Sequence, residues 1–267
     1  MDLGAFSVSL AVADLAASRG FYERMGFVAS GGDAGDGWQI MRNGSTTIGL
    51  FQDMFDRNVL TFNPGVDGTT LAFRRPFQDV RDIEARLLGA GVELAERTRP
   101  GTQGAAHIST EDPDGNPILI DQFDMPDDVD GLAPPELPVP PMPLDPGAFS
   151  YRLAVDDVER SRDFYQRLGF SIDAGPAAGE RSLTMRNGEA VVGLDDVDLE
   201  RNTLTFNPGL DAGTRAPLRR PFSTVEEISS VLIGRGLRAD RSHVPAGARA
   251  IGFVDPDRNP VLIHQLH

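Results

Sequence analysis

From Phe6 to Val12 the chain alternates, with Phe6, Val8, Leu10 and Val12 apolar and Ser7, Ser9 and Ala11 small or polar. A period of two predicts a strand with one face on a core. The period then lengthens. Leu15, Phe21, Tyr22 and Met25 fall largely on one side of a helix that Asp14 caps and Gly26 ends in a left-handed turn. The same order recurs from Phe149 to Phe170, with Asp157 as cap and Gly169 as stop. The chain is therefore read as a duplication.

The pattern continues in step through both halves. After Phe27 comes a loop rich in Gly and Asp, then a short strand from Trp38 to Met41 and the hairpin signal Asn43-Gly44. Thr46 to Phe51 is the returning strand, and the echo is Leu183 to Met185, Asn187-Gly188 and Ala190 to Leu194. One module is thus strand, helix and three strands. Both halves then hold an Arg-Asn pair (Arg57-Asn58, Arg201-Asn202) and the run LTFNPG, whose Asn63-Pro64-Gly65 predicts a turn. A second module follows, predicted as a strand from Thr69 to Phe73 and a helix from Asp79 to Leu88 that Gly89 and Gly91 end. In the second half its helix opens with a capping box, Thr224 to Glu227. Strands from Ala105 to Thr110 and Pro117 to Gln122, joined by DPDGN, close the first half; Ile251 to Val254, DPDRN and Val261 to Gln265 close the second. Prolines crowd the stretch 124–147, which reads as an extended spacer. The expected organisation is one domain over 1–123, the linker, and a second domain over 148–267, in the α+β class.

Composition narrows the function. The 267 residues carry a formal net charge of −15, which argues against phosphate backbones and anionic membranes as partners. With no cysteine, disulfides, thiolate catalysis and Cys-ligated zinc or iron–sulfur sites are excluded. No run approaches the roughly 18 apolar residues of a membrane span, and the N-terminus has no basic segment followed by an apolar one, so the expected home is the cytoplasm.

Four such modules in two pairs, with the phrases VADLAASRGFYERMGF and DPDGNPILIDQ, resemble the vicinal oxygen chelate superfamily, which includes glyoxalase I, bleomycin-resistance proteins and extradiol dioxygenases. The resemblance covers both halves and leaves out the linker. It implies tandem glyoxalase-like domains of two βαβββ modules each, in cupped mixed sheets enclosing a cleft, with the halves forming an internal pseudo-dimer. It also implies a divalent metal on residues of the first and last strands of each module. In this sequence the corresponding positions are Ser7, Thr70 and Leu119, then Ser150, Arg215 and Leu262, with Gly49 and Gly193 near the remaining glutamate position. None is a metal ligand of the family's kind, so no cofactor is predicted, although a divalent metal on other ligands stays open.

The candidate ligand-binding residues are therefore polar and aromatic. Ser7, Ser9, Thr70 and Asp121 belong to the first presumed cleft face, and Arg152, Arg215 and His264 to the second. Asn58, Asn63, Asn202 and Asn207 are candidate contacts at the mouth, and Trp38, Met41 and Phe51 candidate walls. The favoured reading is binding of a small organic molecule, as bleomycin-resistance relatives do. The alternative is a lyase, isomerase or dioxygenase using unmatched ligands or metal-free acid–base chemistry.

Overall fold

The computed structural model describes residues 1–129, 132, 135, 136, 139, 143–174, 181–196 and 201–266. The first half opens with β1 (Ala5–Val12), α1 (Leu15–Arg24), β2 (Val28–Asp33), β3 (Trp38–Asn43) and β4 (Thr46–Gln52). It continues with β5 (Val59–Asn63), α2 (Val80–Gly89), β6 (Ala106–Glu111) and β7 (Pro117–Gln122). The second half repeats this as β8 (Ala148–Ala154), α3 (Val158–Arg167), β9 (Ser171–Ala174), β10 (Ser182–Asn187), β11 (Ala190–Asp195), β12 (Thr203–Asn207), α4 (Val225–Gly234), β13 (Ala250–Val254) and β14 (Pro260–His264). Most of the proline-rich spacer's centre lies outside the described residues. Among the described residues, no helix is long and apolar enough to cross a membrane.

Each half forms one seven-stranded mixed sheet, in the orders β2-β3-β4-β1-β5-β7-β6 and β13-β14-β12-β8-β11-β10-β9. β5–β7 and β12–β14 are parallel, as a helical crossover requires. The helices start and stop where their end residues dictate. Asp14 accepts from the Ala17 amide at 3.0 Å, Asp157 from those of Glu159 and Arg160, and Thr224 with Glu227 completes its capping box. Gly26 (φ 91°) and Gly169 (φ 87°) end the two first helices in the left-handed region. Val8, Leu10, Met41, Ile48, Leu50, Leu60, Phe62, Ile118 and Ile120, at most 1% exposed, form the apolar face of the first sheet.

Three expectations need correction. Thr69 to Phe73 is no strand. Asp67 Oδ1 accepts from the Thr69 and Thr70 amides and the Thr70 hydroxyl, and Leu71 takes φ 58°, so the segment is a side-chain-locked loop. The strand that opens the second module is instead β5, the LTFN run. That module keeps only two strands after its helix; a third survives as isolated bridges, Glu96 to Ser109 and Asp240 to Gly252, which is why each sheet has seven strands. The Gly- and Asp-rich segment after Phe27, expected as loop, begins as β2, because its backbone pairs with β3 regardless of side chain.

Packing divides the chain into two compact units, each drawing on both halves: Met1–Ser9, Arg57–Leu137 and Val155–Val197 in one, Leu10–Asp56, Pro138–Ala154 and Asp198–His267 in the other. Within the second unit the buried Tyr22 hydroxyl donates to Asp255 Oδ2 at 2.9 Å, and Ser18, one helical turn earlier, donates to Asp257 Oδ2 at 2.5 Å. Asp257 Oδ1 also accepts the Ala13 amide at 2.7 Å. The first unit repeats this with Tyr165 to Asp112 (3.0 Å), Ser161 to Asp114 (2.6 Å) and the Asp156 amide to Asp114 (2.9 Å). Each DPD turn is thus gripped by the first helix of the other half.

Candidate functional site

The residues that alternate away from the apolar face define the polar face of each sheet. Pairing in β1, β5, β7 and β6 aligns Ser7, Thr61, Leu119 and Ser109 in one row. In the second half the matching row is Ser150, Thr205, Leu262 and Gly252. Gly252 is required there, because a Cβ would stand 2.5 Å from the Asp240 carbonyl oxygen. On either side of these rows lie Ser9 opposite Val59 and Asp121 opposite His107; their counterparts are Arg152 opposite Thr203 and His264 opposite Ala250.

These polar faces differ in charge. In the first half Asp121 is half-buried, and burial pushes its carboxyl above the usual range, against a smaller opposing effect of the neighbouring His107. His107 Nε2 lies 3.6 Å from Glu96, which also accepts from the Ser109 hydroxyl at 3.1 Å. In the second half Arg152 and His264 share the face. Burial first, and the Arg152 guanidinium second, hold the imidazole below its ordinary value, so His264 is neutral near pH 7.

The other candidates divide into structural groups and groups that stay on the face. The Asn63 amide donates to the Asp121 backbone oxygen and the Asn207 amide to that of His264, each at 2.9 Å; both asparagines lock the parallel strand pair. Gly4 and Gly147 let the chain pass these residues, since a Cβ would sit 1.9 Å from the Asn63 oxygen and 2.3 Å from that of Asn207. The Asn202 Oδ1 accepts the Ala154 amide at 3.1 Å, and Asn58 is half-buried just before β5. Trp38 and Phe51 stack with centroids 6.1 Å apart on the polar side of β3 and β4, whereas Met41 is fully buried on the opposite side of β3 and belongs to the core. Thr70 and Arg215 lie off the strands, in the loops that follow β5 and β12. Thr70 is spent on Asp67, and Arg215 donates to the Asn207 Oδ1 at 2.7 Å and the Phe149 oxygen at 3.3 Å. Asp67 with Thr70 and Asp211 with Thr214 make the same turn, so the residue equivalent to Arg215 is Leu71, not Thr70. Sequence spacing missed Thr61 and Thr205, whose signal was the alternation of LTFN read as a strand.

This correction decides the donor set. The strand residues aligned with Ser7 and Ser150 are Thr61 and Thr205, giving Ser7–Thr61–Leu119 and Ser150–Thr205–Leu262. Two neutral hydroxyls and a leucine offer no ligand set for a divalent transition ion. Among the described residues, no group of three or more His, Asp or Glu side chains converges to hold a metal. The metal that the sequence resemblance implies does not fit these positions.

No protein-family model matches the chain, and no curated protein matches its sequence. Solved structures do resemble it. A catechol 2,3-dioxygenase shares 17% identity at a TM-score of 0.59, over 98% of this chain and 86% of that one. Homoprotocatechuate 2,3-dioxygenase from Arthrobacter globiformis gives 16% and 0.59, over 99% and 79%. An extradiol ring-cleaving dioxygenase from B. fuscum gives 19% and 0.58, over 98% and 70%. At such identity the likeness is one of fold: two seven-stranded mixed sheets in the tandem vicinal oxygen chelate arrangement of these dioxygenases.

Proposed function

We propose that the chain is a tandem vicinal oxygen chelate protein that binds a small organic molecule on the polar face of a sheet, without the metal such folds usually carry. The observation that supports this is the donor row itself, hydroxyl, hydroxyl and leucine in both halves, beside recognition groups of other kinds. Arg152 supplies a fixed positive charge with several donors, and the neutral His264 one donor and one acceptor. Asp121 gives the first face the opposite preference, for a neutral or cationic group.

Thermal-shift titration with benzoate and with 3,4-dihydroxyphenylacetate, each with excess EDTA, tests this reading. Stabilisation that survives EDTA and shrinks in Arg152→Ala supports it. Stabilisation that appears only after adding iron or manganese contradicts it.

A second reading, ring-cleaving oxygenation, is the one the comparisons favour, since the solved neighbours are dioxygenases, one of them determined with bound 3,4-dihydroxyphenylacetate. The donor set weighs against it. Oxygen uptake on adding catechol to the iron-loaded protein would establish it.

A further inference from the structure

The equivalent hydroxyls of the two rows have different fates. In the first half Thr61 Oγ1 lies 2.9 Å from Ser9 Oγ, and the two buried hydroxyls satisfy one another. In the second half the position of Ser9 is Arg152, because Ser9 opposes Val59 as Arg152 opposes Thr203. A guanidinium on a long stem does not replace a hydroxyl lying against the strand. Thr205 is 2% exposed, and its Oγ1 is buried without a hydrogen-bond partner among the described residues. A buried hydroxyl left unpaired costs free energy, and native proteins keep few of them without a reason.

We infer that the second half, not the first, holds the point of ligand recognition, with the Thr205 hydroxyl bonding an oxygen of a small carboxylate- or hydroxyl-bearing organic molecule. The inference rests on the binding reading proposed above and assigns it to one half and one chemical class. Three features agree with it. Thr205 lies in the central row, between Ser150 and Leu262. Arg152 and His264, one on each neighbouring strand, are half-buried on the same face. A guanidinium has only donors, so it favours a partner with acceptor oxygens, and a hydroxyl both donates and accepts. The single exchange of Ser9 for Arg152 would thus have removed an internal partner and added an oxygen-seeking charge.

The test compares Thr205→Val with its mirror, Thr61→Val; valine keeps the shape and deletes the hydroxyl in each. Binding is read by isothermal titration with 3,4-dihydroxyphenylacetate and, separately, with benzoate. The inference predicts affinity roughly tenfold weaker in T205V, the order of one buried hydrogen bond, and unchanged in T61V. It also predicts that unliganded T205V melts no lower than the wild type, because no partner is lost, whereas T61V melts lower. Binding by the wild type that T205V retains, or that T61V alone loses, overturns this inference and leaves the binding reading intact. A T205V protein as destabilised as T61V shows that the hydroxyl is already satisfied, and overturns the inference whatever the titration shows. Failure of both probes to bind the wild type counts against the binding reading and this inference together.

Discussion

The Tyr22 hydroxyl and Asp255 Oδ2 lie 2.9 Å apart in a fully buried contact that joins a helix of the first half to a turn of the second. Asp255 also accepts from the Asn259 amide and side chain and from the Asp257 amide, at 2.7 to 3.0 Å, so its carboxylate is buried with its lone pairs engaged. Such a contact stabilises while complete and becomes costly when one partner is removed. The mirrored pair, Tyr165 and Asp112, obeys the same logic at 3.0 Å.

Tyr22→Phe should therefore destabilise the protein by about 2 kcal/mol, the range for a hydrogen bond to a buried charge, measured by urea denaturation. Tyr165→Phe should cost a similar amount. The two pairs share no residue, so the double variant should show the sum. A double variant no less stable than either single one would show that the contacts are not independent grips.

Acidity offers a separate test. Burial outweighs the hydrogen bonds to Asp255 and raises its carboxyl above the ordinary value of 3.8. Between that ordinary value and the raised one, the folded chain holds a proton that the unfolded chain has released. Stability from this group therefore rises as pH falls through the folded value, and is lost as pH climbs back. Asp255→Asn removes the titration and two good acceptor contacts. The wild type should be more stable than D255N at pH 7, and their difference should widen toward pH 4. Unfolding free energies across that range decide it, and a narrowing difference would contradict the assignment.

The two DPD turns differ at one strained position. Gly115 takes φ 80° in the first, and Arg258 takes φ 66° in the second. Arg258 is exposed, so its side chain contributes little packing. Arg258→Gly should raise stability by up to about 1 kcal/mol, because a left-handed conformation penalises any residue with a Cβ while glycine's greater unfolded entropy offsets part of the gain. A fall in melting temperature would mean that Arg258 makes a contact worth more than its strain.

Much of this fold is legible from residues with one dominant preference. Asp14, Asp157 and the Thr224–Glu227 box mark helix starts, Gly26 and Gly169 mark helix ends, and the two Asn-Gly pairs turn their hairpins. The site was harder to read because it depends on register. Asn-Pro-Gly draws the eye to a turn, yet the LTFN before it is a central strand, and reading the next segment as that strand displaced the site from Thr61 and Thr205 to Thr70 and Arg215. The capture of the Thr70 hydroxyl by Asp67 is a local bond that no hydrophobic pattern reveals. Met41 illustrates the same limit: its side of β3 follows from its partner Ile48, not from its own chemistry.

The central claim, that this fold works here without its customary metal, is tested most directly by elemental analysis of the purified full-length protein by inductively coupled plasma mass spectrometry. The donor rows Ser7–Thr61–Leu119 and Ser150–Thr205–Leu262 predict iron, manganese, nickel and zinc far below one equivalent per chain after dialysis. One equivalent of any of them, retained by the wild type and lost in Thr61→Ala or Thr205→Ala, would contradict it.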